Sequence, residues 1–192
     1  MTRFAYPVAL DLNGVPVLVV GAGPIAARKA AGLAAAGAVV HIVAPTVCPA
    51  IEAAVLDGQI ARIRMRPFEP ADLDGVRLVV TATGVPDVDA AVAADATTAG
   101  IWVNAADQPA DCTFILPAIA RNGPLTIAVN TDGSSPALAG RIRDRAADLV
   151  SDEVVVAAAR LATERASIRA SGGSTEDRDW QAVLDAVLPP LA

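Results

Sequence analysis

Short apolar runs alternate with longer alanine-rich stretches over the first hundred residues of the chain. The short runs are almost continuously apolar, which is typical of strands that are covered on both faces. The alanine-rich stretches are bounded by prolines and glycines, as helices often are. The pattern predicts five strands at Val15–Val20, Ala38–Val43, Ile60–Met65, Val76–Thr81 and Ile101–Val103, with helices at Pro24–Ala36, Cys48–Asp57 and Val88–Ala99 and at most one helical turn at Ala71–Leu73.

This alternation of strand and helix predicts an α/β fold, a Rossmann-like doubly wound parallel sheet with helices on both faces. The pattern changes after Val103, where a polar loop begins. Two apolar runs then predict an antiparallel strand pair, at Thr113–Leu116 and Leu125–Asn130, on either side of a turn at residues 121–124. Helices are expected at Pro136–Val150 (with Ser135 as the N-cap), at residues 151–170 and at Trp180–Leu188. The chain is therefore divided into a Rossmann-like domain at 1–109, a small α+β segment at 110–150 and a helical tail at 151–192.

A glycine motif joins the first strand to the first helix. Gly21-x-Gly23-x-x-Ala26 has the spacing of the dinucleotide-binding fingerprint. In that motif the first glycine allows a tight turn, the second lets the backbone approach a pyrophosphate, and the small third residue lets the helix pack on the strand. Pro24 suits the first helical turn, whose free N–H groups face the phosphates. An ordinary turn between strand and helix in another α/β protein is the alternative.

The expected acidic partner of the ribose is absent from its usual place, about 20 residues after the glycines. Ala44, Pro45 and Thr46 stand there instead, without an arginine for a 2′-phosphate, which favours NAD. Small residues at the end of the fourth predicted strand would lie on the ligand edge of the sheet. The predicted cofactor contacts are Gly21, Gly23, Pro24, Ile25, Ala26, Pro45, Thr46, Thr81, Ala82, Thr83 and Asn104.

Composition narrows the functional classes. The net charge of −6 and the aromatic content of 3% disfavour a nucleic-acid surface and base stacking. No apolar run is long enough to span a bilayer, and the first residues do not resemble a signal peptide, so a cytoplasmic protein is expected. Two cysteines, Cys48 and Cys112, and one histidine, His41, do not form a metal-binding pattern, so no metal site is predicted.

Two longer stretches resemble the siroheme synthase dehydrogenase/ferrochelatase family. The first is VLVVGAGPIAARKAAGLAAAGAVVHIVAP, which contains the glycine motif. The second is VNAADQPADCTFILPAIARNGPLTIAVNTDGSSPALAGRIRDR, which carries four family elements in order. These elements are Asn104–Asp107, Phe114–Pro117, Asn122–Val129 and Gly133–Arg143. The similarity covers roughly residues 7–150.

The resemblance implies a homodimeric precorrin-2 dehydrogenase that oxidises precorrin-2 to sirohydrochlorin with NAD; some family members also insert Fe²⁺. Asp107 occupies the position of the family's catalytic aspartate. A carboxylate there could accept the proton that accompanies hydride transfer to NAD. From the residues alone, Asp107 could equally serve the turn before Pro109.

The implied tetrapyrrole substrate carries many carboxylates, so arginine and lysine are expected in its cleft. The predicted substrate contacts are Arg28, Lys29, Arg121, Thr131, Ser134 and Arg141. Arg28 and Lys29 match a family Arg-Lys pair, whereas Arg141 could simply lie on a solvated helix face. Asp132 departs from the family pattern and puts a regulatory phosphorylation of Thr131 in doubt.

Two other functions stay open at this stage. One is a generic NAD(P)-dependent oxidoreductase, although Tyr6 is the only tyrosine and the Tyr-x-x-x-Lys pair of short-chain enzymes is absent. The other is a sensor module that binds NAD without catalysis. A sensor would need neither the Asp107 loop nor the Gly-Ser-Ser-Pro helix start.

Overall fold

The computed structural model describes residues 3–176 and 178–187 of the chain. The chain forms two compact units that divide between Leu116 and Pro117. The three-part division at residues 109 and 150 stays a prediction. No helix within the described ranges is both long and apolar enough to cross a membrane.

The first unit contains a five-stranded parallel sheet, which confirms the predicted fold class. Its strands are β1 Pro16–Val20, β2 Val39–Val43, β3 Arg62–Arg64, β4 Leu78–Thr81 and β5 Trp102–Ala105, and its helices are α1 Pro24–Ala35, α2 Pro49–Leu56 and α3 Pro86–Thr98. The strand order is β3-β2-β1-β4-β5, and all four pairings are parallel. The chain crosses from one side of β1 to the other between β3 and β4. In such sheets the carboxyl ends of the strands at this switch point border the ligand crevice.

Two apolar layers cover the opposite faces of the sheet. Alternate residues of β1 divide between them: Val17 and Val19 pack in one layer, and Leu18 and Val20 pack in the other. All four are at most 2% exposed. A strand buried on both faces must be apolar at every position, which explains why the sequence pattern located β1 and β4 well.

The ends of the sheet differ in two places from the prediction. β5 continues beyond Val103 to Ala105, because Asn104 and Ala105 pair with β4 residues Val80 and Thr81. Asn104 therefore lies on a strand and not in a loop. β3 is limited to three residues at the edge of the sheet.

The second unit begins with a two-stranded antiparallel sheet and continues with helices. Its elements are β6 Ala118–Asn122, β7 Leu125–Val129, α4 Pro136–Ala146, α5 Asp152–Ala170 and α6 Trp180–Val187, with a 3₁₀ turn at Ala147–Val150 after α4. Ser135 caps α4 as predicted, since its hydroxyl accepts a hydrogen bond from the Leu138 N–H at 3.2 Å. The predicted helix extended to Val150, but the α-helix ends at Ala146.

The antiparallel pair is confirmed, but the predicted position of its first strand, Thr113–Leu116, is wrong. The two-residue Gly123-Pro124 turn joins strands that pair immediately on either side of it. Gly123 has φ of 53°, and a glycine with positive φ at the first turn position is typical of tight hairpins. Thr113 instead remains beside β5, where its N–H donates to Val103 O at 2.8 Å.

A buried carboxylate stabilises the connection between β3 and β4. Asp72, 4% exposed, accepts two hydrogen bonds from Arg66, at 2.7 and 2.8 Å, and one from Arg64. The Glu69 N–H donates a further bond at 3.0 Å. Burial by itself would raise the pKa of Asp72, but these donors outweigh it and the pKa lies below its ordinary value of 3.8.

Replacing Asp72 with asparagine is expected to reduce the free energy of unfolding by about 2 kcal/mol at pH 7, because two half-exposed arginines lose their shared anion. Since the folded pKa is depressed, the contribution is complete above the unfolded value and is lost as the pH falls through the folded value. Urea unfolding should therefore show a difference between wild type and variant that narrows as the pH falls below 3.8. The exposed Asp74→Asn variant is the control, and a difference independent of pH would contradict the assignment.

Candidate functional site at the carboxyl edge of the first sheet

The turn after β1 needs its first glycine for a local reason. Gly21 has φ of +102°, and a Cβ added there would lie 2.4 Å from Ala82 O. The Gly21 N–H also donates to Val43 O at 2.9 Å, so the turn is fixed between the ends of β2 and β4. A side chain at this position would push apart two adjacent parts of the ligand edge.

The second glycine serves a different purpose. Gly23 is the N-cap of α1 with φ of −79°, and a Cβ added there would meet nothing within 4 Å. No side chain among the described residues caps α1, whose first position is Pro24. Ala26 is fully buried, so α1 packs closely on the sheet. The free helix N–H groups and the open space over Gly23 fit the pyrophosphate of a dinucleotide.

The end of β2 presents exposed residues where the ribose is expected. Ala44 is buried, whereas Pro45 and Thr46 are exposed. The Ala44 N–H donates to Arg64 O at 3.1 Å, so the sheet brings an arginine beside this position. This neighbour could not be predicted from the sequence, because Arg64 is on a different strand. Its guanidinium is bound to Asp72.

Buried hydrogen bonds fix the end of β4. Thr81 is fully buried, and its hydroxyl donates to the carboxylate of Asp89 on α3. The same carboxylate oxygen accepts the Thr83 N–H at 3.0 Å. The Thr81 hydroxyl thus supports the loop from within, and a direct cofactor contact by Thr81, Ala82 or Thr83 stays a prediction. Asp89 was missed from the sequence, where its place in the first turn of α3 was the available signal.

Polar side chains cluster beneath the end of β5. The ammonium of Lys29 on α1 donates to Asn104 Oδ1 at 2.8 Å. Asn104 Nδ2 donates to Phe114 O at 3.1 Å and lies 3.6 Å from the sulfur of Cys112. The Cys112 thiol is 2% exposed and also accepts the Ala105 N–H at 3.2 Å. The cluster connects α1, β5 and the segment that returns past β5.

Burial shifts the pKa values of the two ionisable groups of this cluster in opposite directions. Burial lowers the pKa of Lys29, and the positive charge of Arg28 lowers it further, while Cys112 and Asp107 raise it. Burial raises the pKa of Cys112, so its thiol form is favoured, although the Ala105 N–H and the charge of Lys29 oppose this shift.

Asp107 follows the cluster in a fixed turn at the same edge of the sheet. Its side chain is exposed, and its φ of 60° is in the left-handed region, which aspartate tolerates better than most residues. The preceding Ala106 N–H donates to Thr81 O at 2.9 Å. The guanidinium of Arg3 donates to Pro109 O and Cys112 O at 2.9 and 2.8 Å. An exposed carboxylate in so constrained a loop can accept a proton from a bound ligand without reorganising the backbone.

The side chains of the predicted Arg28-Lys29 pair lie at different surfaces, and their contact with substrate stays a prediction. Arg28 is exposed and lines a groove between α1 and α2, together with Cys48 and Gln59. Lys29 instead reaches β5, where it contacts Asn104. The α-helix rotates successive side chains by about 100°, so neighbours in sequence serve different surfaces.

The remaining predicted substrate contacts lie in the second unit. Arg121 and Arg141 are exposed, on β6 and α4. The Thr131 hydroxyl donates to Ser135 O at 3.1 Å, and the Ser134 hydroxyl donates to Thr131 O at 2.5 Å, so both stabilise the loop before α4. Their contact with substrate stays a prediction.

Comparisons with known proteins connect both units to one biosynthetic process. A family model described as "Putative NAD(P)-binding" matches residues 8–118, and one described as "Sirohaem biosynthesis protein central" matches residues 122–147. The chain is 38% identical to a siroheme synthase of Methylobacillus flagellatus over 184 residues, which cover 95% of this chain and 39% of that protein. It is 46% identical to a siroheme synthase of Pseudomonas putida over 137 residues, which cover 71% of this chain and 29% of that protein. The chain thus spans less than half the length of these relatives.

One solved structure matches nearly the whole chain. It is described as SirC, precorrin-2 dehydrogenase, and is 30% identical to this chain with a TM-score of 0.74. The match covers 95% of this chain and 89% of the solved one. The likeness therefore extends over the sheet, the hairpin and the C-terminal helices.

Proposed function

Because the chain belongs to the family described as putative NAD(P)-binding and is similar over most of its length to SirC, a precorrin-2 dehydrogenase, we propose that it oxidises precorrin-2 to sirohydrochlorin with NAD. The observation that carries the proposal is the common location of two groups. The open N-terminus of α1 at Gly23 and the exposed carboxylate of Asp107 both follow strands of one parallel sheet, at its carboxyl edge. A dehydrogenase needs a dinucleotide site and a proton acceptor within reach of one substrate.

The residues of the chain have separate tasks in this mechanism. The N–H groups at the start of α1 would hold the pyrophosphate, and the Asp89 carboxylate keeps the end of β4 in place. Bound NAD supplies the acceptor for the hydride, which takes both electrons of the broken C–H bond. Asp107 accepts the proton lost from a neighbouring ring position. The balanced products are sirohydrochlorin, NADH and one proton.

We further propose that the chain acts as a homodimer in the cytoplasm and that cations of the second unit contact the substrate carboxylates. Arg121 and Arg141 are exposed and suited to this contact. Exposed apolar side chains of the second unit, Leu138, Ile142, Leu149 and Val156, support association of two copies. Sedimentation equilibrium tests the proposed homodimer, and a monomer at micromolar concentration would contradict it.

The direct test is spectroscopic. The purified chain is mixed anaerobically with precorrin-2 and NAD, and absorbance of sirohydrochlorin and NADH is followed. Equal amounts of the two products are expected. Binding of NAD without product formation would favour the sensor function, and turnover of small hydroxy substrates alone would favour a generic oxidoreductase.

Insertion of Fe²⁺ into sirohydrochlorin is proposed as a second activity, since the relatives that match most of the chain are named siroheme synthases. Here Fe²⁺ is a substrate, and Asp107 would accept protons from the pyrrole nitrogens. Addition of Fe²⁺ to the completed oxidation mixture is expected to produce the siroheme spectrum faster than in an enzyme-free control. Equal rates of siroheme formation with and without the enzyme would contradict this second activity.

A further inference from the structure

Lys29 connects the cofactor helix to the strand that leads to Asp107. It lies on α1, six residues after Gly23, and its ammonium donates to Asn104 Oδ1 at 2.8 Å. Asn104 is 5% exposed and lies three residues before Asp107. A single hydrogen bond thus spans 75 positions of sequence, between the two parts of the site that the proposed reaction needs.

The ammonium also determines how the Asn104 amide is oriented. With Oδ1 accepting from Lys29, Nδ2 is free to donate to Phe114 O at 3.1 Å, and both ends of the buried amide are satisfied. Without the ammonium, Oδ1 would be a buried acceptor with no such donor, and the amide would lose its preference for this orientation. The end of β5, from which the Asp107 turn starts, would lose the hydrogen bond that holds it to α1.

The charges around Lys29 favour the same role. Burial lowers the pKa of Lys29 most strongly and the positive charge of Arg28 lowers it further, whereas Cys112 and the Asp107 carboxylate raise it. The ammonium therefore lies within electrostatic reach of the proposed proton acceptor. A side chain turned inward to Asn104 is poorly placed to bind a carboxylate of a large substrate.

We infer that Lys29 is a positioning residue for Asp107, acting through Asn104, and that it does not bind the substrate carboxylates. The inference rests on the proposed function in one respect, the role of Asp107 as proton acceptor. It replaces the substrate-binding role that the sequence suggested for Lys29.

Steady-state kinetics separate the two roles of Lys29. The Lys29→Met variant keeps the apolar stem and loses the charge, and its kcat is expected to fall about 10- to 100-fold with the KM for precorrin-2 unchanged, since small displacements of a reacting group are costly. Lys29→Arg should recover most of kcat. A raised KM with unchanged kcat would show that Lys29 binds substrate and would overturn the inference. Arg77→Met is the control for loss of a cation, because Arg77 is exposed and lies just before β4, at the opposite edge of the sheet.

The pH dependence gives a second signature. The pKa of Lys29 is lowered below 10.5, so activity should persist while the ammonium is charged and decline as the pH rises through this lowered pKa. In Lys29→Arg the decline should move to higher pH, because a guanidinium stays charged there. An alkaline decline at the same pH in both proteins would overturn the inference.

Lys29 is the only lysine of the chain, which permits a test that needs no catalysis. Protein labelled with ¹³C,¹⁵N-lysine gives one lysine side-chain NMR signal, whose titration reports the pKa of Lys29. In Asp107→Asn the pKa of Lys29 is expected to fall further, because an anion that raises it is removed. The exposed Asp74→Asn change should leave it unaltered. An unchanged pKa in Asp107→Asn would overturn the inference even if precorrin-2 is oxidised normally, and a fall would support the coupling even if precorrin-2 is not the substrate.

Discussion

Replacing Asp107 with asparagine is expected to reduce precorrin-2 oxidation by a factor of about 10² to 10⁴, while the Kd for NAD stays at its wild-type value. The factor is that of a positioned general base, which asparagine cannot replace because its amide does not accept a proton at neutral pH. Asparagine is the suitable change because Asp107 has φ of 60°, a conformation that asparagine also adopts. Alanine would add backbone strain to the loss of the carboxylate.

Stopped-flow measurement of NADH formation and fluorescence titration of NAD check the two halves of this result. The matched control is Asp111→Asn, which removes a carboxylate from the same loop but not from the proposed reaction centre. Wild-type turnover in Asp107→Asn would remove Asp107 from the mechanism. Loss of NAD affinity in the same variant would instead assign Asp107 to cofactor binding.

The parts of the fold that sequence could predict are those where local pattern and tertiary environment agree. β1 and β4 are apolar at nearly every position because both faces are buried, and α4 begins where Ser135 and Pro136 predict. The first strand of the hairpin was misplaced because Thr113–Leu116 is as apolar as β6. Its residues pack instead beside the first sheet, where Phe114 and Ile115 contact the two core layers.

The site was predictable where a backbone motif defines it and not where distant side chains meet. The glycines and the start of α1 form one contiguous stretch of sequence, and the Asp107 loop forms another. The bond from Lys29 to Asn104 and the bonds from Thr81 and Thr83 to Asp89 depend on the parallel order of β1, β4 and β5. That order is set by the whole sheet, so no single stretch of sequence contains these contacts.

The two glycines of the fingerprint have different tasks in the motif, and the structure supplies the geometric reason for each. A Cβ at Gly21 would collide with the backbone of Ala82, whereas a Cβ at Gly23 would enter open space. The first glycine is therefore needed by the fold itself. The second is needed only if a ligand fills the space above it.

Replacing Gly23 with valine should consequently weaken NAD binding at least about 100-fold, or about 2.7 kcal/mol, without unfolding the protein. Valine tolerates the extended conformation at position 23, where φ is −79° and ψ is −177°, and its branched side chain would occupy the proposed pyrophosphate space. Isothermal titration with NAD and thermal unfolding test the two statements together. Gly21→Ala is the contrasting variant, expected to lose about 2–5 kcal/mol of stability through its positive φ and the contact with Ala82. Wild-type NAD affinity in a folded Gly23→Val protein would mean that the dinucleotide does not pass over the start of α1, and the proposed geometry of the reaction would fail with it.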